Sequence, residues 1–293
     1  MHYGTIPPFQ CCQLYVRLTA GVAGDSDDRW VFTEDNPARE LMTAAHLACI
    51  SRALADFNPE LSREALDVST HLMLHTRLTD DLPVRTARLH AAAELLLTTG
   101  ENRYSDILMS ETDRISENMK RLGWIAARVA DRLPPSFTAA IYPALRAWRA
   151  ELDSLSSETP YGVPYRPHIW GAGWMIQQMG CEHYFLTRAF PDLFPPELTC
   201  RALDFVLGCH PGNSVSFASG VGASSVTTAY GFNRADASYI PGGVVSGTAL
   251  IKPDFPELKQ WPYLWQQTEY VLGGGSSRFL FLVLAVQDLL KQL

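Results

Sequence analysis

Glu269 is the side chain in this 293-residue sequence whose neighbours best suit it to hold and release a proton. It stands within Tyr239–Ala285, YIPGGVVSGTALIKPDFPELKQWPYLWQQTEYVLGGGSSRFLFLVLA, a stretch rich in Gly, Pro and aromatics that runs into an apolar helical pattern. Trp261, Tyr263, Trp265 and Tyr270 flank the carboxyl in sequence, and Gly273 to Gly275 follow it. Rings exclude water from a carboxylate, which penalises the ionised form and raises the pKa. A carboxyl of that kind can serve as a general acid near neutral pH. The same residue would also suit a plain structural part, as the cap of the final helix.

Other candidates are polar groups set among small residues or rings. LGCHPGNSVSFASGVGASSVTTAYGFNRADASYIPGG contains Tyr230 and the close charged pair Arg234 and Asp236. An Arg–Asp pair can organise a loop or present fork-shaped donors to sugar hydroxyls. TPYGVPYRPHIWGAGWMIQ places Tyr161, Tyr165, His168, Trp170 and Trp174 about a helix start. Ring faces stack on sugars but also fill cores. Trp170, at the first turn, is the better site candidate; Trp174, inside the helix, reads as core, and His168 as a cap or loop residue. Of the five carboxylates of DDRWVFTEDNPARE, Glu34, Asp35 and Glu40 are accounted for by the macrodipole at a helix start. The glycines form no phosphate loop, because no Lys-Ser/Thr follows and no strand–Gly-x-Gly–helix unit precedes them. No Gly-x-Ser-x-Gly elbow presents a nucleophile.

The elements that must position these groups are helices. Eight are expected from periodicity and breakers: one within VFTEDNPARELMTAAHLACISRALADF with Pro37 in its first turn; SREALDVSTHLMLHTRL; VRTARLHAAAELLLTTG, stopped by Gly100; RYSDILMSETDRISENMKRLGWIAARVADRL, broken near Gly123; PPSFTAAIYPALRAWRAELDSL, kinked at Pro143; HIWGAGWMIQQMGCEHYFLTRAF; PPELTCRALDFVLGC; and SSRFLFLVLAVQDLLKQL. Residues 1–30 read as an extended arm and 210–264 as a long irregular insertion serving the site. Antiparallel helix pairs joined by modest loops give bundles, solenoids or α/α barrels, and no short repeat supports a solenoid. The expectation is a single all-α domain over 1–293.

Composition narrows the partners. A formal charge of −7 with 47% hydrophobic residues describes a folding chain without the basic excess that nucleic-acid binding requires. No apolar run approaches a membrane span. The opening MHYGTIPPFQCC has neither a basic n-region nor an apolar h-region, so a cytoplasmic protein is expected if Met1 is the true start, and a secreted or periplasmic one if the chain begins further upstream. Cys11, Cys12, Cys49, Cys181, Cys200 and Cys209 show no zinc spacing. They are expected reduced, with Cys49, Cys181 and Cys200 acting as small buried apolar groups. No metal or cofactor is expected.

Four motifs resemble glycoside hydrolase family 9. DRWVFTEDNPARE is similar to the segment before a barrel helix, and RTARLHAAAELLLTTGENRYSDIL to the family's AAAEL-x-x-x-TG-x-x-Y helix. TPYGVPYRPHIWGAG resembles its PYG-VP…WG segment, and ALDFVLGCHPGNSVSFASGVGA its LGxNPxxxSFVTGxG signature, the most specific of the four. Together they cover the chain from about Asp28 onward. The resemblance implies an (α/α)6 barrel of the six-hairpin glycosidase type, incomplete at its N-terminus, since about twelve helices make the full barrel. It implies a β-linked glucan, oligosaccharide or polysaccharide substrate cleaved with inversion, and it aligns Glu269 with the general acid. Trp170, Tyr161, Tyr230 and Trp265 then become candidates for sugar stacking, and Arg234 and Asp236 for hydroxyl contacts. The pattern is also broken. The D-A-G-D motif that bears the family's base is absent, and Asp25 in GVAGDSDD lies too close to the barrel segment to replace it. AYGFNRAD stands where the family has His-His-Arg, and QQTEYVLGGG departs from the usual surroundings of the acid. The expectation is a hydrolase with impaired turnover; the alternative is a non-catalytic carbohydrate-binding remnant of the same fold. Oligomeric state is left open.

Overall fold

The computed structural model describes residues 35–158, 162–164, 172–209, 214–226, 239–245 and 274–291. The chain divides into two units, Met1–Pro37 and Ala38–Leu293; the expected arm lies outside the described residues. Ten helices occupy the described part: α1 (Pro37–Leu54), α2 (Pro59–His75), α3 (Leu82–Thr99), α4 (Asn102–Ser110), α5 (Thr112–Glu117), α6 (Met119–Val129), α7 (Pro135–Ser157), α8 (Ala172–Ala189), α9 (Glu197–Val206) and α10 (Gly274–Leu290). Strands are absent among these residues, where only isolated bridges pair Ser216 with Ser225 and Ala218 with Val244.

Local chemistry sets the boundaries. Asn58 caps α2 by accepting from the Leu61 N–H, with Pro59 at the first helical position, where a missing N–H costs nothing. Gly100 ends α3 at φ 69°, and its N–H closes on the Leu96 carbonyl, a left-handed turn that glycine adopts without Cβ strain. The fourth expected helix is three. It breaks at Glu111 and again at Asn118, whose side chain donates to the Arg114 carbonyl. Side chains of that type compete with the backbone ladder. Gly123, the expected break, is instead buried inside α6.

α3 shows which helices are interior. Ala91, Ala92, Ala93 and Leu95 have no exposed surface, and a helix apolar on all sides must be enclosed. α1 lies against α3 through His46–His90 and through Thr98 Oγ1, which donates to the Ala48 carbonyl. α3 meets α6, α6 meets α8, and α8 meets α10. These five helices form an inner row. α2, α5, α7 and α9 pack outside it, α2 donating from Ser69 to the Ala44 carbonyl of α1. One apolar cluster joins α1 through α8; a second joins α8, α9 and α10 to Phe217, Val226 and Val245 of the insertion.

The insertion is anchored where it is described. The Phe217 N–H donates to the Val206 carbonyl at 2.9 Å, and the Phe217 ring meets Phe205 edge to face. At Gly180, α8 lies close against both α9 and α10. A Cβ there would lie 2.7 Å from the Ala202 Cβ and 2.8 Å from Leu282 Cδ1. The Ala202 methyl is fixed to a helix backbone and cannot rotate away. Gly180→Ala is therefore expected to destabilise by about 1–2 kcal/mol net, overpacking outweighing the gain in helix propensity. A thermal midpoint equal to or above wild type would contradict this contact.

Cys49 is exposed and Cys181 and Cys200 are half-buried, all three as free thiols. The expected burial fails for Cys49, which lies on the solvent side of α1 while Ala44, Ala45 and Ala48 fill the inner side.

Candidate active site

One aromatic ring from each inner helix joins an unbroken series. His46 of α1 is 6.2 Å from His90 of α3, His90 is 4.9 Å from Trp124 of α6, and Trp124 is 6.3 Å from Phe185 of α8. Phe185 is 5.6 Å from Phe281 of α10. The series places these five side chains on the common inner face. Pairings between neighbours rise together in residue number: His46 with His90 and Arg52 with Glu94; Cys181 with Arg278 and Tyr184 with Asp288. The inner helices are thus parallel, with their N-terminal ends together.

Two of the candidate residues lie, in sequence, just before inner helices. Trp170 precedes the first residue of α8 by two positions and Glu269 precedes that of α10 by five, and α8 packs on α10. The seven expected site residues, Tyr161, Trp170, Tyr230, Arg234, Asp236, Trp265 and Glu269, all lie outside the described residues, as do Tyr165 and His168.

The described part of the N-terminal end adds groups that local sequence reasoning passed over. Arg278 of α10 sits 5.5 Å from the centre of the Trp174 ring, so Trp174 is a half-buried cation–π partner and not simple core. Gln178 donates to Glu182 at 2.8 Å. Burial pushes the Glu182 carboxyl up, only partly countered by the Gln178 hydrogen bond and the Arg278 charge. The Trp174 indole N–H and both amide atoms of the fully buried Gln177 have no partner among the described residues. Burial drives the Cys181 thiol up to about 12, which disfavours its thiolate. A signal for Arg278 was present, as a lone cation in the apolar run SSRFLFLVLAV.

Below the ring series a buried carboxylate ties three helices. Glu94 of α3 accepts from Arg52 Nη2 of α1 and, at 2.8 Å, from Arg128 Nε of α6, with His90 Nε2 3.7 Å away. Burial opposes its charge, but His90 and the two guanidiniums together outweigh it and hold the carboxyl at about 2. His46 is shifted down, first by burial and then by His90. Ionised near neutral pH and held by two Arg partners, Glu94 ties α1, α3 and α6 together.

Comparison with solved structures places the fold. A metagenome-derived glycoside hydrolase family 9 endoglucanase superposes with a TM-score of 0.64 at 20% identity, over 86% of this chain and 52% of that one. The endoglucanase of the termite Nasutitermes takasagoensis superposes with a TM-score of 0.65 at 18% identity, over 87% and 66%. The catalytic domain of Clostridium thermocellum CelT gives 0.65 at 15%, over 86% and 61%. The fold is that of a glycoside hydrolase family 9 catalytic domain, an (α/α)6 barrel. This family 9-like chain spans about half the length of several of the structures it matches. No family model matches its sequence, and no curated protein does. Among the described residues no helix is long and apolar enough to cross a membrane.

Proposed function

We propose that the chain is a glycoside hydrolase domain acting on a β-linked glucan, oligosaccharide or related glycoside by inverting acid/base hydrolysis, with Glu269 as the acid. One observation carries the reading: in a fold shared with family 9 endoglucanases, the two adjacent helices α8 and α10 are entered from the segments that bear the PYGVP…WG and QQTEYVLGGG motifs. Trp174 and Arg278 extend the candidate sugar platform, and the Glu182–Gln178 pair offers hydroxyl contacts. An inverting hydrolase needs a second carboxylate about 6.5–9.5 Å from the acid to activate water. With no D-A-G-D motif to supply one, turnover by this chain alone is reduced.

The test is turnover of aryl β-glycosides and β-1,4-linked oligosaccharides, with the first-formed anomer followed by proton NMR. The expected result is slow cleavage giving α-configured product. Retention of configuration would refute inversion. A folded protein that binds these sugars without cleaving them would favour the alternative, a non-catalytic carbohydrate-binding remnant of the same fold.

A further inference from the structure

At the C-terminal end of the inner row, away from the ends that adjoin the Glu269 segment, a cavity of about 800 Å³ opens among Arg52, Arg128, Arg132, Arg188, Tyr184 and Phe185. That volume suits a ring-sized ligand. We propose that this cavity binds a small anionic molecule, a single carboxylate or phosphate group carried on a sugar-sized ring, as a second site separate from the one that would cleave glycosides.

The donor arrangement carries the argument. Glu94 is one carboxylate shared by two guanidiniums. Arg52 turns Nη1 to the Glu94 carbonyl and Thr98 Oγ1, and Nη2 to the Glu94 carboxylate. Arg128 spends Nε and Nη2 on Glu94 and lies 4.5 Å over the Phe185 ring. Its Nη1 has no acceptor among the described residues. One positive charge is therefore left over at a half-buried position, beside an aromatic wall on which a sugar ring can stack. The two remaining guanidiniums are only loosely held. Arg132 Nε is 3.5 Å from Asp131, which is 74% exposed, and Arg188 Nη1 is 3.5 Å from Asp288, which is 44% exposed. Exposed pairs of this sort contribute little, so an incoming oxyanion can displace them and take a bidentate pair of N–H donors.

These arginines also offset the partial negative charge of helix ends, since Arg52, Arg128 and Arg188 stand in the last turns of α1, α6 and α8. That function acts through charge and leaves the free N–H groups available. The two functions separate experimentally, because a helix-end charge alone predicts a change of stability, whereas an anion site predicts a loss of affinity in a variant that stays folded.

The test is isothermal titration of the full chain with inorganic phosphate, glucuronate and glucose 6-phosphate, with glucose and NaCl of matched ionic strength as controls. Arg132→Gln/Arg188→Gln is titrated beside wild type, since these two side chains leave the Glu94 cluster intact and circular dichroism can confirm its folding. Saturable binding of at least one oxyanion, absent for glucose and NaCl, and weakened about tenfold or more in the double variant, is expected. Binding of glucose 6-phosphate and not glucuronate, or the reverse, identifies the anionic group; phosphate matching glucose 6-phosphate shows that the ring adds nothing. Absence of saturable binding in wild type, or equal affinity in the folded double variant, overturns the proposal. The readout is binding alone, so it stands or fails independently of any hydrolase activity.

Discussion

Glu269→Gln is expected to lower hydrolysis of β-1,4-linked oligosaccharides by about 10²- to 10⁴-fold, the usual worth of a positioned general acid. Glutamine keeps the shape and the hydrogen-bonding ability of the side chain but cannot give a proton to the departing glycosidic oxygen. The size of the loss must follow the leaving group. A sugar alkoxide is a poor leaving group and depends fully on protonation, whereas 2,4-dinitrophenolate departs without it. Dinitrophenyl β-glycosides should therefore lose far less than oligosaccharides in the variant, and the alkaline decline of the pH–rate profile, which reports loss of the acid's proton, should disappear. A uniform loss across all leaving groups would assign Glu269 to folding or binding, and no loss would remove it from the mechanism. The aromatic neighbours Trp261, Tyr263, Trp265 and Tyr270 are the reason to expect an alkaline limb displaced towards neutrality.

Sequence patterns showed the helices and their order because each depends on local signals. The apolar spacing of VRTARLHAAAELLLTTG marks the helix α3, and Gly100 marks its end. The divisions at Glu111 and Asn118 carry no Gly or Pro, so a continuous polar–apolar rhythm ran through them unseen. The candidate site divides in the same way. Glu269 and Trp170 were proposed from clustered rings and motif spacing, and both lie outside the described residues. Glu182 and Arg278 were not, because their relation exists only once α8 and α10 lie side by side. Glu94 is the clearest case. In sequence it is one polar residue in an alanine-rich helix, and nothing local says that Arg52 and Arg128, from two other helices, will close on it. Non-local pairings of this kind depend on the fold, and periodicity alone does not encode them.

Glu94→Gln should destabilise the folded chain by about 3–5 kcal/mol, because it leaves two guanidiniums facing a neutral group in a site where the wild-type side chain is only 3% exposed. The three inner helices α1, α3 and α6 are joined there, so the loss is expected as a cooperative fall in the urea midpoint and not as local fraying. The pH dependence gives a second and more specific sign. The Glu94 carboxyl is depressed from its ordinary 4.5 to about 2 in the fold. Its contribution is then complete above the ordinary value and disappears as pH falls through the interval down to about 2, a change of about 3 kcal/mol. Below pH 5 wild type should steadily lose its advantage over Glu94→Gln, and the two stability curves should converge near pH 2. Parallel curves across that interval would mean that Glu94 is not the ionised strut, since a neutral or merely space-filling side chain has no proton to gain. The same variant bears on the C-terminal cavity. With Glu94 neutralised, Arg52 and Arg128 lose their shared counter-charge, so a bound oxyanion should recover part of the lost stability, and more of it in the variant than in wild type. A strut that also poises two guanidiniums toward a cavity makes this coupling necessary; a strut alone does not.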